Sequence, residues 1–476
     1  MNGGGWQEMK KRRMESFVMY DAEGVEKHLE KMAKKGYFLT KVGRSFWTYE
    51  RREPKEVRYA VGYFPDASDF DPGPTRSQAT YQDFCSAAGW QFVGQWSQMQ
   101  IFYNENPDAV PLETDEQTKL SITAKAMKKG FLPATLLVIV CCLIELGIGV
   151  NRLLDDFLYE TAAYFSVWFL FLWAWILLFM VWMLADYGVW YFRSKHQVAE
   201  GGSCFHGGSN LRKWVQRVFV WVTMLSVFTL YHHPPFGTYA VLLLLLFPVM
   251  MLHTMAIDGL RNWMRKREVS RGTNRVVTFL VHVVTYVLII FLVSFGIVQG
   301  IKKQEEPPAQ VVTLTNSRGQ EYDWEVYDDP LLLTLADLGL EEEGEIYSST
   351  SDHQSSFLME YEKGREEWVQ FGEEDVTLIY KKATNKMPFF DRQCAQALLV
   401  PYRGEYAEIF GNPRYVPTDA TLWNADLAYQ QISETEGVPM EQFVVVKGKT
   451  FVWVYFPVVP TESQIKIAAE KLLPSR

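Results

Sequence analysis

The familiar signatures of catalysis are missing from this chain of 476 residues. It has no GxxxxGK(S/T) phosphate loop, no GxSxG elbow, no HExxH pair and no kinase motif set, which removes those routes to phosphoryl transfer, serine hydrolysis and zinc proteolysis. Cysteine is scarce. Cys85, Cys141, Cys142, Cys204 and Cys394 form no CxxC pair, and only Cys394 lies beyond residue 300. No disulfide framework can be drawn there. An exported domain without disulfides fits a bacterial surface better than a eukaryotic secretory route. No long basic stripe occurs away from short membrane-flanking loops, so nucleic-acid binding is disfavoured. The opening MNGGGWQEMKKRRMESF has charge but no apolar core behind it, and a cleavable signal peptide is not expected.

Apolar residues, by contrast, are plentiful and concentrated. Hydrophobic side chains make up 48% and aromatics 15% of the chain, yet the mean hydropathy is −0.09. Strongly apolar stretches must therefore be diluted by polar domains. Crossing a hydrocarbon core takes about 20 apolar residues, and five stretches qualify: 131–150, 164–185, 214–233, 236–256 and 276–298. Lys and Arg crowd alternate ends, in KAMKKG, around residues 193–213, and in DGLRNWMRKREVSRGTNR. That asymmetry predicts a cytoplasmic N-terminus and, after five spans, an external C-terminus. Lys302 and Lys303 oppose it weakly. The charge divides accordingly: from residue 301 onward 30 acidic face 16 basic side chains, a formal −14, and the remainder carries +5.

Residues 1–128 form the expected cytoplasmic module, and 15–105 hold an internal repeat. Strand signals occur at SFVMY, YFLTKV and SFWTYER, then again at VRYAVGYF, WQFVG and MQIFYNE. Between them lie helices with Val25, Leu29, Met32 and Ala33 on one face, and Tyr81, Phe84, Cys85 and Ala88 on another. Gly36 and Gly89 stand where a helix C-terminus calls for a left-handed residue. The reading is an α+β module of two tandem βαββ units.

The stretches FVMYDAEGVEKHLEKMAKKGYFL, FWTYERREPKEVRYAV and YQDFCSAAGWQFVGQWSQMQIFY resemble the bacterial membrane-protein family known as domain of unknown function 2812. His28-Leu29 and Tyr37 stand where members of that family typically have Trp-Leu and a further tryptophan. The resemblance covers about 90 residues and implies a cytoplasmic module ahead of membrane spans. It also implies a regulatory setting near transcriptional repressors of the PadR type, as partner proteins. A likeness to small-molecule-binding tandem βαββ domains would let Trp47, Tyr49, Trp90, Trp96, Phe102 and Tyr103 line a pocket. The simpler alternative is that most of them fill the core.

After a 301–308 linker, residues 309–476 read as an external α+β domain. Strands are expected at VVTLTN, EYDWEVY, SFLMEYE, EWVQFG, VTLIYKK, QFVVVKG and TFVWVYFP, with helices at LLLTLADLG, FFDRQCAQALL and TESQIKIAAEKLL. The acid runs at Asp328-Asp329 and Glu341–Glu343 lack calcium-loop spacing. Cys204 and His206 lack companion ligands, so no metal or cofactor site is expected. Polar residues inside spans are better candidates, because burial in lipid is costly. Glu145 is one, and His253 and His282 fall at similar depth, where they can meet as a proton-linked or metal-binding pair. The fold class is a multi-domain membrane protein: cytoplasmic α+β module, five-helix region, extracellular α+β domain. The expected function is non-enzymatic sensing or regulation in a bacterial plasma membrane, with a transporter or transporter accessory subunit as the alternative.

Overall fold

The computed structural model describes residues 10–15, 17–43, 46–205, 209–232, 237–302, 307–315, 319–342, 345–369, 376–402, 411–433 and 435–473. The N-terminal part runs β1 (Lys10–Met14), α1 (Ala22–Ala33), β2 (Tyr37–Lys41), β3 (Phe46–Arg51), then β4 (Arg58–Tyr63), α2 (Arg76–Ala87), β5 (Gln91–Trp96), β6 (Met99–Asn104). Two antiparallel sheets result, ordered β1-β3-β2 and β4-β6-β5, so each βαββ unit places its last strand in the middle. The duplication extends to detail. Gly36 and Gly89 have φ of +80° and +84°, and the register slips at Leu39/Lys41 in one unit and at Phe92/Gly94 in the other.

Two details depart from the sequence expectation. The first strand is not SFVMY but the preceding KKRRM, an exposed edge strand pairing Lys10 with Glu50 and Arg12 with Thr48. Phe17 to Tyr20 instead form the turn into α1, where Val18 and Tyr20 are buried. On α2, Phe84 is exposed, and Gln78 and Cys85 are the buried residues. Gln78 donates to Gln95 Oε1 at 2.7 Å and Gln82 to Gln100 Oε1 at 3.3 Å. A polar seam holds this helix to its sheet, which hydrophobic periodicity does not detect.

After α3 (Glu116–Lys129) come α4 (Phe131–Asp155), a short α5 (Phe157–Ala162), α6 (Tyr164–Ala199), α7 (Ser209–His232), α8 (Gly237–Lys266) and α9 (Arg271–Lys302). Five of these helices are long and apolar enough to cross a membrane. Their large side chains are largely uncovered, as with Trp221, Phe279 and Phe291. Such exposure is expected where lipid is the solvent. This is a multi-pass membrane protein. α6 has 36 residues, about 54 Å at 1.5 Å per residue, against a hydrocarbon core of about 30 Å. Its surplus carries Tyr187 and Trp190 into the same hydrophobic core as Tyr20, Trp47 and Tyr49 of the N-terminal module.

The chain divides into two compact units, Met1–Leu143 with Ala174–Gly300, and Ile144–Trp173 with Ile301–Arg476. The second contains β7 (Gln310–Thr315) paired with β8 (Glu321–Val326), and a seven-stranded sheet. That sheet comprises β9 (Tyr347–Ser355), β10 (Met359–Trp368), β11 (Thr377–Asn385), β12 (Arg414–Pro417), β13 (Leu427–Ile432), β14 (Pro439–Lys447) and β15 (Thr450–Tyr455). Its order is β12-β13-β14-β15-β11-β10-β9, antiparallel throughout. One face buries Tyr380, Phe443, Val452 and Val454 against α11 (Glu462–Leu472). The other packs α10 (Asp391–Leu399) and the α5 residues Phe157, Leu158 and Ala162 at one end.

The expected helix at LLLTLADLG is a run of turns. Thr334 N–H donates to Asp337 Oδ2 and Asp337 N–H to Thr334 Oγ1, both at 3.1 Å, while Leu335 N–H donates to Glu366. Side chains thus take the backbone bonds a helix would need, and Leu333, Leu335 and Leu338 still reach the core.

Candidate functional site

Arg212, in the first turn of α7, is the most enclosed cation among the described residues of the first unit, only 4% exposed. Its Nε donates to Asp186 Oδ2 of α6 at 2.6 Å, and its Nη1 lies 3.4 Å from Asp21 Oδ2. The guanidinium also covers the Tyr20 ring at 5.1 Å, and Tyr20 Oη donates to Asp186 Oδ2 at 2.5 Å. Burial, reinforced by Asp186, holds the Tyr20 hydroxyl far above its ordinary range, so it stays a donor. Asp21 also caps α1, accepting from Gly24 N–H at 3.2 Å. One buried arginine therefore ties the start of α1 to α6 and α7. Nearby, Cys204 N–H donates to Glu116 Oε2 at 2.8 Å.

A second tie uses the loop between β4 and α2. Asp69 Oδ2 lies 3.5 Å from Arg261 Nη1 and accepts from Ser97 N–H through its other oxygen at 3.0 Å. Arg261 also pairs with Asp258 on its own helix and sits over the Phe70 ring. Arg265 Nε donates to Asp71 O at 2.7 Å, and the buried Asn274 amide to Phe70 O at 3.2 Å. In sequence this loop is only an Asp-, Pro- and Gly-rich connection, and the arginines belong to the basic stretch that marks membrane orientation. The complementary charges of FPDASDFDPGP and LRNWMRKREVSR are the signal that identifies them as partners.

From this junction a cavity of about 880 Å³ extends between the helix ends, lined by Phe17, Asp69, Trp96, Arg261, Phe279 and His282 among others. His282 of α9, which lines it, also meets His253 of α8, whose Nε2 lies 2.9 Å from His282 Nδ1. Each lies eight residues, about 12 Å of helix, from a junction residue, Asn274 and Arg261 respectively. The Tyr286 ring stacks on His282 and meets His253 edge-on, with centroids at 5.8 and 5.0 Å. Across this contact one imidazole donates and the other accepts.

The other sequence candidates are placed differently. Glu145 is half-buried on α4 with no hydrogen bond or ion pair among the described residues. Trp47 and Tyr49 belong to the main core of the first unit, with Trp96 and Tyr103 packed against it, whereas Trp90 and Phe102 belong to a separate small cluster. Trp96 lines the cavity above, and Trp90 lines another of about 660 Å³ beside α1. That second cavity also contains Glu26, whose Oε1 accepts from Val61 N–H at 2.8 Å. Burial raises the Glu26 carboxyl to about 7. No group of three or more His, Cys, Asp or Glu placed to hold a metal ion occurs among the described residues. His206 and Glu343 lie outside the described residues.

Taken together, the five apolar helices and the β-sheets define a multi-pass membrane protein of mixed α+β build. Residues 21–135 match the family model described as "Protein of unknown function (DUF2812)", a match that covers the N-terminal module from Asp21 and the start of α4. The match begins at Asp21, the cap residue paired with Arg212, and spans both βαββ helices and the loop that meets α8 and α9. No curated protein and no solved structure matches the chain.

Proposed function

We propose that the protein is a non-enzymatic sensor or regulator of a bacterial plasma membrane, in which an external C-terminal domain acts through five spans on a cytoplasmic N-terminal module. The observation that carries this reading is the buried Arg212 cluster, which binds the module to the ends of α6 and α7. A module anchored by a desolvated ion pair responds to helix movement, because any displacement strands a buried charge. α4 and α6 continue from this unit into the other, giving a covalent route between the two. The Lys and Arg asymmetry favours the orientation. The partner on the cytoplasmic side is a protein, of the PadR repressor type in the setting the family suggests, and the module makes no nucleic-acid contact of its own.

The test is affinity capture from bacterial cytosol with the full-length protein, wild type against Arg212→Met, alongside transcript profiles of strains producing each. Regulation predicts a captured protein and altered transcripts, both reduced in the variant. Capture of nothing, together with identical transcripts, removes the reading. A transporter or transporter accessory role is the second reading, favoured by the hydrogen-bonded His253–His282 pair within the spans. Substrate flux in reconstituted vesicles that disappears in His253→Ala would select it.

A further inference from the structure

The second unit holds a cavity of about 910 Å³ on the sheet face that α10 and α5 leave uncovered. This is at the upper end of the volumes that take drug-sized ligands, about 300–1,000 Å³. Its walls carry unusual unmet demands. Lys381, in β11, lies against the Trp453 ring at 5.6 Å and makes no ion pair among the described residues. Burial pulls its ammonium below the ordinary lysine range, against the pull of Asp156. Gln431 Oε1 is buried and has no hydrogen-bond partner among the described residues. A buried acceptor left unmade costs about 1–3 kcal/mol. The aromatic wall between them is fixed, because Trp453 Nε1 donates to Tyr415 Oη at 3.0 Å. Asp155 and Asp156, where α4 ends and turns into α5, close another side.

The cavity thus offers a cation in need of an anion, a buried acceptor in need of a donor, two carboxylates, and an aromatic surface. We infer that it binds a short peptide, whose terminal carboxylate meets Lys381, whose N–H groups meet Gln431 and the Asp155–Asp156 corner, and whose side chain lies on Trp453 and Tyr415. A simple organic anion satisfies Lys381 but leaves Gln431 bare, and an amine does the reverse. The occupant also touches the turn between α4 and α5, which connects two spans. The inference rests on the sensing reading only for what occupancy accomplishes; binding itself does not depend on it.

The experiment is calorimetric titration of the full-length protein in lipid nanodiscs with the tripeptides Ala-Phe-Ala and Ala-Leu-Ala, and with the C-terminal amide of each. Wild type binds the free acids and loses about tenfold or more of that affinity with the amides, because a charge-assisted contact is removed. Lys381→Met loses a similar factor for the acids but binds the amides as wild type does. Lys381→Arg retains the preference for acids, and Gln431→Leu weakens all four probes. Unaltered melting temperatures show that the variants fold. No heat with any tripeptide, or Lys381→Met binding the acids like wild type, overturns the site and leaves the sensing reading standing. Binding without any change in transcripts breaks the sensing reading and leaves the site standing.

Discussion

Replacing Arg212 by methionine removes the charge at the centre of the module's anchor while keeping much of its bulk. The guanidinium side chain is 5% exposed, and those of Asp21 and Asp186 are 19% and 18% exposed. Removing one partner of a buried pair costs about 3–5 kcal/mol, chiefly through the charge left behind. Here both carboxylates keep some access to water, and each keeps another donor, Gly24 N–H for Asp21 and Tyr20 Oη for Asp186. The lower end, about 3 kcal/mol, therefore applies. That corresponds to roughly a hundredfold gain in local opening. Amide hydrogen exchange of the full-length protein in nanodiscs measures it directly: protection across α1 should fall by about that factor. Asp186→Asn in the Arg212→Met background should recover part of the loss, because no unpaired charge then remains on that side. A double-mutant cycle giving no coupling between positions 186 and 212, or α1 protection unchanged in Arg212→Met, would refute the reasoning.

The two repeat joints respond to alanine alike. Gly36→Ala and Gly89→Ala each force a side chain onto φ near +80°, and at Gly36 the added Cβ would stand 2.6 Å from Arg52 O. Each should cost at least about 1 kcal/mol, with Gly36 the worse, read as loss of melting temperature. Glu26 gives a pH signature: its folded carboxyl is raised from 4.5 to about 7, so the folded state holds more protons between those values. Stability is then greatest below pH 4.5 and falls as pH rises toward 7, by roughly 3 kcal/mol at most from this group. Glu26→Gln should remove that component in paired melts at pH 5 and pH 8. At the helix end, Asp69→Asn should weaken the tie to Arg261, raising hydrogen exchange in residues 64–74 while leaving the 310–473 sheet as in wild type.

Much of the architecture was legible because it follows from local physics. Five runs of apolar residues set the spans, and a glycine followed by an aromatic marked each helix-to-strand joint of the repeat. The strands QFVVVKG and TFVWVYFP, separated only by a short Lys-Gly-Lys turn, appear as β14 and β15, with Gly448 at φ of +57° between them. What escaped depends on tertiary partners. β9, with the sequence YSSTSDHQS, is too polar to announce itself; it gains strand structure by pairing with β10 at the sheet edge. β12 and β13 are short and lie between turns, so pattern alone does not reveal them. His253 and His282 were visible as polar residues of similar depth, but their distance is set by how α8 and α9 pack. The anchor at Arg212 was invisible for a plainer reason. Its partners Asp21 and Asp186 are 191 and 26 residues away in sequence, and no local period connects them.

The central claim is that the module regulates through its attachment to the spans. Transcript profiling of one bacterial strain producing either the wild-type protein or Arg212→Met at equal membrane levels tests it most directly. The account predicts a defined set of transcripts that change with the wild-type protein and return toward baseline in the variant. Identical profiles for wild type, variant and empty strain, with substrate flux in vesicles that His253→Ala abolishes, would contradict it.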